Sequence, residues 1–357
     1  MSRGLVVVAQ PGCKRLLGLL SALTKGHHPA PQLVSWDEAL QSPQRLCTLG
    51  HSGDFLRVES PGADSHIWHQ IARRGGLSGT FSDGQWRPGR AWFLGLSEIL
   101  SAWERQTQHL IWTHPAAHIL TMTDKLACAQ TLWAAQIPTP EVQLAATNPD
   151  AFREQLQRTG RHAVFVKPRW GSSGAGVLAF RKSGAREQIT TTAQLADGVL
   201  WNEKRLHVYH DRKSIDALLS AVLTDGAVVQ RWIPKAITGG GPFDLRVLVI
   251  HGKIAQQVAR VGRGTITNLH ILAERQEVAL ALAKFPSSVL SDIHDICRRT
   301  AACFPDHHAI GIDVMVDVKG RPFVLECNAW GDYLPRLLSD GKDSYESQVD
   351  ALFSWAA

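Results

Sequence analysis

The sequence predicts an α/β protein of more than one compact unit. It opens as a doubly wound strand–helix–strand unit and continues as an α+β part built on hairpins. Three observations predict this. Leu5-Val-Val-Val8 is a short, continuously apolar run of the kind a buried parallel strand carries. It is followed by a Gln10-Pro-Gly12 turn, a leucine-rich helical stretch from Lys14 to Lys25 and a second apolar run, Gln32 to Trp36. From residue 163 onward the apolar runs are strand-like and come in pairs joined by glycine-containing turns.

The 357 residues exceed one ordinary domain. The divisions expected are 1–118, 119–234 and 235–357. Apolar residues make up 44% and charged residues 20%, the composition of a globular chain with a real core. The net charge is +6, with the basic residues scattered and no Lys/Arg block. That fits an anionic small ligand and argues against a nucleic-acid surface. The six cysteines (13, 47, 128, 297, 303, 327) show no CxxC pair, so reduced thiols are expected rather than zinc or a disulfide framework. No apolar run approaches the length of a membrane span, and the N-terminus lacks a signal-like apolar region. A cytoplasmic protein without nucleic-acid or membrane partners is the expectation.

In order along the chain, Gly26 ends the first helix. Phe55 to Gly62 reads as strand and turn, and Trp92 to Gln106 as an amphipathic helix. Thr123 caps a further helix running to Gln136, with Leu126, Ala129 and Trp133 on one face. Strands are expected at 163–168, 176–180, 227–230, 245–250, 254–260, 310–316 and 322–326, and helices near 148–159, 211–224, 275–284 and 287–303. The twelve tryptophans, partly gathered between 68 and 112, are expected to be packing residues.

Three constellations carry chemistry. The first is Val164-Phe-Val-Lys-Pro-Arg-Trp-Gly-Ser-Ser-Gly-Ala-Gly-Val177. It lacks the Lys-Ser/Thr and the following helix of a P-loop, and the helix of a dinucleotide fingerprint. A hairpin remains, with Gly171, Ser172, Ser173, Gly174 and Gly176 at its tip and Lys167 just before it. Such a tip can offer backbone N–H groups to phosphates, with the lysine as a point charge. An ordinary mobile hairpin fits the same residues. The second is Gly311 to Asn328, an antiparallel hairpin. By strand alternation Asp313 faces one side, Glu326 and Asn328 share a face, and Leu325 and Cys327 lie opposite. If Asp313 meets Glu326 and Asn328 across the ladder, three hard oxygen donors converge, as Mg²⁺ requires. The third is Phe243-Asp-Leu-Arg246, which puts Asp244 and Arg246 on one strand face, followed by Arg260 and Asn268. Arg246 is a candidate for stabilising phosphoryl charge.

In this order, from about Asp124 to Trp330, these elements resemble the ATP-grasp superfamily, closest to the branch of ribosomal-protein glutamate ligases and glutathione-synthetase-like enzymes. The resemblance implies a Rossmann-like pre-ATP-grasp domain followed by two α+β subdomains clasping a nucleotide. It also implies that Lys125 and Lys167 touch the nucleotide, that Gly171 to Gly176 form a lid, and that Gln230 with Arg231, Trp232 and Ile233 lines the adenine hinge. Asp244, Arg246, Arg260 and Asn268 follow as site residues, and Asp313, Glu326 and Asn328 as ligands of Mg²⁺, two ions, with Mn²⁺ as the alternative. No acidic residue stands in Pro234 to Gly241, where many relatives hold the ribose; Asp244 is the substitute on offer. The activity implied is ATP-dependent ligation of a small-molecule or peptide carboxylate to an amine or other nucleophile, through an acyl phosphate. A kinase on the same fold and a non-catalytic nucleotide-binding component are the alternatives. The homodimer is the candidate assembly, and the tryptophan-rich region with Arg57 and Glu59 is placed at the substrate wall.

Overall fold

The computed structural model describes residues 3–355 apart from 63, 172–173, 263, 265, 267–273, 331–333, 335–336 and the side chain of Lys204. Ser172, Ser173 and Asn268 therefore lie outside the described residues.

The chain begins with β1 (Leu5–Val8), α1 (Lys14–Lys25), β2 (Gln32–Val34), α2 (Trp36–Gln41), a 3-10 turn, β3 (Phe55–Val58), α3 (Ser65–Arg74), α4 (Gly89–Gln106) and β4 (Ile111–Trp112). These strands form a parallel sheet in the order β2-β1-β3-β4. Trp36 is not the end of the second strand. Ser35 and Glu38 make a capping box, so the chain turns into α2 one residue earlier. Val6, Val8, Leu56 and Val58 pack against α3 and α4. Those two helices approach so closely that a Cβ on Gly95 would lie 1.8 Å from the Ile71 carbonyl oxygen. The other face of the sheet (Leu5, Val7, Phe55) packs on α1 and on a helix from the far end of the chain, described below.

Next come α5 (Ala116–Thr123), α6 (Lys125–Ala134), β5 (Val142–Leu144), α7 (Pro149–Arg158), β6 (Ala163–Pro168), β7 (Leu178–Ser183), β8 (Arg186–Ala196), β9 (Val199–Tyr209), α8 (Arg212–Asp225) and β10 (Ala227–Arg231). Their antiparallel sheet runs β5-β10-β6-β7-β8-β9. Phe152, Leu156, Leu218 and Val222 of α7 and α8 cover one face. The β8–β9 hairpin turns at Asp197-Gly198, with φ of 50° and 76°. Positive φ at both central residues is what a two-residue type I′ turn demands. Asp124, not Thr123, caps α6, because Thr123 closes the helix before it.

The last third contains β11 (Ile237–Thr238), β12 (Gly241–Ile250), β13 (Lys253–Val261), β14 (Glu274–Gln276), α9 (Val278–Ala281), α10 (Ser288–Ala302), β15 (Ala309–Val316), β16 (Pro322–Asn328) and α11 (Ser344–Phe353). The sheet order is β14-β13-β12-β15-β16, with β11 on β12. The helix expected over 275–284 is instead a short edge strand and a single helical turn: Glu274 to Gln276 pair with β13 before α9 begins. Ile293 and Ile296 of α10 cover the apolar face of this sheet. α11 leaves it and packs Tyr345, Val349 and Leu352 onto α1 and the first sheet. Among the described residues no helix is long and apolar enough to cross a membrane.

Five histidines meet where the first and third sheets adjoin. Ring centroids lie 4.7 Å apart for His114 and His307, 5.9 Å for His118 and His307, and 4.6 Å for His251 and His308. Nδ1 of His308 is 2.8 Å from Nε2 of His251. Burial holds His114 and His308 well below the ordinary imidazole value and pushes His307 down to about 3. An unfolded imidazole titrates near 6.5, so on acidification the unfolded chain takes protons that the fold refuses. Stability against urea should therefore be full above pH 6.5 and fall below it, each histidine approaching a slope of about 1.4 kcal/mol per pH unit. Equal stability at pH 7.5 and 5.5, measured by urea titration, would contradict neutral histidines in the fold.

Candidate functional site

Strand pairing builds a row of charges across the third sheet. β12 and β13 set Asp244 beside Arg260; β12 and β15 set Arg246 beside Asp313; β15 and β16 set Asp313 beside Glu326 and Gly311 beside Asn328. Alternation places all of these polar side chains on one face and Leu245, Val247, Ile312 and Val314 on the other, in the core. Asp313 thus meets Glu326 across the ladder, the condition the sequence reading set for convergent oxygen donors. Leu325 does not lie opposite, however. The register shifts between Asp313 and Val314, which leaves Leu325 unpaired as a bulge, and its side chain lines the cleft with Glu326.

The row is almost fully paired. Arg246 Nε sits 2.5 Å from Asp313 Oδ1, and Arg260 Nη2 3.0 Å from Asp313 Oδ2. Arg260 Nε is 2.6 Å from Asp244 Oδ1, and Lys235 Nζ 2.7 Å from Asp244 Oδ2. Both Asp244 oxygens are therefore engaged. Burial works against the Asp244 charge, but Arg260 and Lys235 outweigh it and bring its pKa to about 2. At Asp313 burial wins, aided by Glu326 and Asp244, and the carboxyl rises to about 6 despite its two guanidiniums. Arg260 is raised: burial opposes its charge, but Asp244 and Asp313 prevail. Burial likewise opposes the Glu326 charge, yet Lys125, Lys167, Arg246 and Arg260 hold it below the ordinary value. Lys167 falls to about 8, chiefly through burial, with Lys125 and Lys235 adding to it.

Opposite this row stands the end of β6. Asp124 caps α6 by accepting from the backbone N–H of Leu126 and Ala127. It also takes Arg169 Nε at 2.8 and 2.9 Å and Trp170 Nε1 at 3.2 Å. Lys125 donates its N–H to the Arg169 carbonyl and its ammonium to the Gly171 carbonyl. One carboxylate thereby straps the glycine-rich loop to the helix carrying Lys125. Trp170 stacks on Phe93 at 5.5 Å while one side of it lines the cleft. Gly174 and Gly176 have φ of 74° and 67°, conformations that exclude most side chains.

Two connected cavities result. One, of about 400 Å³, lies between the second and third sheets and is lined by Phe165, Gln230, Trp232, Ile233, Met315 and Leu325. Arg231 and Asp244 also border it. Trp232 is sandwiched, with Phe165 at 4.5 Å on one side and the Arg181 guanidinium 4.2 Å from its ring. The other, of about 1320 Å³, opens toward the first sheet. Lys125, Lys167, Gly171, Arg260 and Glu326 border both. Arg246 and Asn328 border the larger, and Asp313 the smaller. Lys235, Arg169 and Arg181 went unnoticed in the sequence. Each is a basic residue near a motif, with no spacing to mark it.

The donors on this face fit a hard divalent cation. The Glu326 carboxylate has no hydrogen-bond partner among the described residues. The Asn328 amide donates to the Gly311 carbonyl at 3.3 Å, which leaves its oxygen as an acceptor. Asp313 is already held by two guanidiniums, so it is the shared donor of the set. No cluster of three or more His, Cys, Asp or Glu with metal-binding geometry occurs among the described residues; the set is two carboxylates and an amide.

Asp124→Ala removes a helix cap and strands Arg169. It should cost about 1–2 kcal/mol in urea titrations. By loosening Lys125 and the loop it should also weaken nucleotide binding measured by calorimetry.

Comparison with known proteins agrees with this geometry. A family model described as YheC/D like ATP-grasp matches residues 121–357. No curated protein sequence matches the chain. Solved structures that match include D-cycloserine synthetase DcsG, at 14% identity, TM-score 0.59 and coverage of 98% of this chain and 99% of that one. The ATP-grasp ligase PsnB with precursor peptide PsnA2 and AMPPNP matches at 16% identity, TM-score 0.54 and coverage of 98% and 97%. D-alanine–D-alanine ligase from Bacillus anthracis complexed with ATP matches at 12% identity, TM-score 0.54 and coverage of 98% and 96%. At these identities the likeness is one of fold, and it is the family model, spanning the second and third sheets and the whole charged row, that shows the chain to belong to the YheC/D-like ATP-grasp family.

Proposed function

We propose that the chain is an ATP-dependent ligase that activates a carboxylate as an acyl phosphate and passes it to an amine, forming a C–N bond. One observation carries this reading. The nucleotide-sized cavity and the larger cleft meet at a border made of Lys125, Lys167, Arg260 and Glu326, where a γ-phosphate and an acceptor could come together. The solved relatives bearing ligase names are consistent with it. In this reading 1–118 precedes two parts, 119–234 and 235–357, that clasp the nucleotide.

Adenine would lie between the second and third sheets, against Trp232, Ile233 and Met315, with Gln230 at its edge. The phosphates would extend toward Lys125 and Lys167 beneath the loop from Gly171 to Gly176. A carboxylate oxygen of the substrate attacks the γ-phosphorus; the bond to the bridging oxygen breaks and ADP leaves. The amine then attacks the acyl carbon, the bond to phosphate oxygen breaks, and the amine proton departs with solvent or phosphate. Arg246 and Arg260, fixed by Asp313 and Asp244, supply positive charge that needs no reorganisation as the transition state forms. Glu326 and Asn328, with Asp313 shared, would hold Mg²⁺, which when bound neutralises phosphate charge. A closed loop would keep water from the acyl phosphate.

Mass spectrometry after incubation with Mg-ATP, hydroxylamine and pooled metabolites and peptides should show ADP with a new hydroxamate. A phosphorylated product without hydroxamate would move the reading to a kinase. ATP bound but never consumed, across all pools, would overturn it. Glu326→Gln should leave the circular dichroism spectrum intact and lower ADP release by about 10²-fold or more. ADP release equal to that of the unaltered protein would remove Glu326 from the site.

A further inference from the structure

The larger cleft is walled by indoles. Trp68, Trp86, Trp92, Trp170 and Trp330 line it, five of the chain's twelve tryptophans. They come from α3, the stretch before α4, α4 itself, the glycine-rich loop and the end of β16, so no local period gathered them. Tryptophans used for core packing are placed differently. Trp36 and Trp103 are 0% and 2% exposed, with ring centroids 5.0 Å apart. The five cleft indoles are only half-buried. Apolar surface left open to water inside a concavity marks a ligand site rather than a core.

Position singles out Trp330. It lies two residues past Asn328, at most about 7 Å along the chain from the Glu326 and Asn328 donors. Its ring is backed by the core. Two hydrogen bonds fix it: Nε1 donates to the Val58 carbonyl at the end of β3 at 2.9 Å, and its own carbonyl accepts from Arg15 at 3.0 Å. A plane held in this way loses little freedom when a second ring lies on it. Trp170 is already faced by Phe93 at 5.5 Å, and Trp68 by the Arg87 guanidinium at 5.1 Å. Among the described residues no ring or cation faces the Trp330 indole. Such a surface prefers an aromatic ring to a saturated one of the same size, because stacked π-systems gain more than the area they bury. Lys167, Arg246 and Arg260 border the same cleft at the reacting end and attract a carboxylate. Resting on the ligase reading above, we infer that the carboxylate substrate carries a flat aromatic ring close to its reacting group, and that this ring stacks on Trp330.

The test uses the full chain with Mg-AMPPNP and calorimetry. The probes are 2-naphthylacetate, its saturated counterpart decahydro-2-naphthylacetate, and glucuronate, a carboxylate on a sugar ring. 2-Naphthylacetate should bind tighter than the saturated acid by about five-fold or more. Trp330→Leu should cut that preference below about two-fold while the affinity for AMPPNP changes less than about two-fold. Should Trp330→Leu not bind AMPPNP, Trp330→Phe decides: its smaller ring should lower the preference and leave AMPPNP binding in place. Equal binding of the aromatic and saturated acids, tighter binding of glucuronate, no binding of any probe, or a preference undiminished in the variants overturns the inference. The ligase reading fails separately, through the hydroxamates recovered with Mg-ATP and hydroxylamine from pooled metabolites and peptides. Aromatic hydroxamates uphold both readings. Hydroxamates formed only from acids without an aromatic ring keep the ligase and overturn the platform. No hydroxamate and no ADP, with 2-naphthylacetate still preferred, rejects the ligase and leaves the platform standing.

Discussion

Buried charge is tolerable only where it is paired, and the pairing across β13, β12, β15 and β16 is the constraint on which the rest of this structure depends. Arg260, Asp244, Arg246, Asp313 and Glu326 occupy neighbouring positions because the strand register puts them there. Removing one partner would leave another uncompensated in a low-dielectric setting, a cost far above that of an exposed pair. The two aspartates show how finely position decides the outcome. Asp244, gripped by Arg260 and Lys235, is held at about 2, whereas Asp313, also buried but beside the carboxylates of Glu326 and Asp244, rises to about 6. The same row leaves Glu326 ionised but without a hydrogen bond among the described residues, a combination suited to a cationic ligand. The apolar side of the sheet, packed on α10, keeps the register from slipping, since a one-residue shift would bury the whole row.

Much of this was legible beforehand because strand alternation is a local rule. Glu326 and Asn328 could be put on one face from parity, the pairing of β15 with β16 brings Asp313 to them, and β6 was bounded to the residue. Parity fails where a bulge adds a residue, which is why Leu325 was placed on the wrong side. The long β8–β9 hairpin went unread although Asp197-Gly198 is a strong turn signal. Its strands carry the charged and amide side chains of a solvated hairpin, such as Glu187, Gln188 and Glu203, and so lack clean apolar alternation. α11 was missed for a different reason: its apolar residues answer to a partner surface more than three hundred positions away, and nothing local announces that. The strap from Asp124 to Arg169 and Trp170 is also non-local, and only Asp124's place at a helix start hinted at it.

The structure joins the loop from Gly171 to Gly176 to the wall around Trp68, Trp86 and Trp92 through Trp86. A Cβ on Gly176 would lie 2.5 Å from Trp86 Nε1, and Gly89 takes its N–H to Asp225 at 2.6 Å. Trp86 therefore acts as packing between the first unit and the loop, and Trp68, Trp86 and Trp92 all line the cleft. Any movement of that loop has to carry or release these contacts, so loop position and cleft shape are mechanically coupled.

α11 has a consequence for how the chain comes to be folded at all. The layer over Leu5, Val7 and Phe55 on the first sheet is completed, beside α1, by Tyr345, Val349 and Leu352. Lys25 and its partner Glu346 are 321 residues apart. At roughly 5–20 residues per second, the ribosome needs on the order of 15–65 s to deliver the rest of that layer after α1. Until then the part of this apolar face that α1 leaves uncovered is open to water and to other chains. The first segment to be made is thus among the last to be finished, and a nascent chain of this protein has a built-in need for shelter on its N-terminal side.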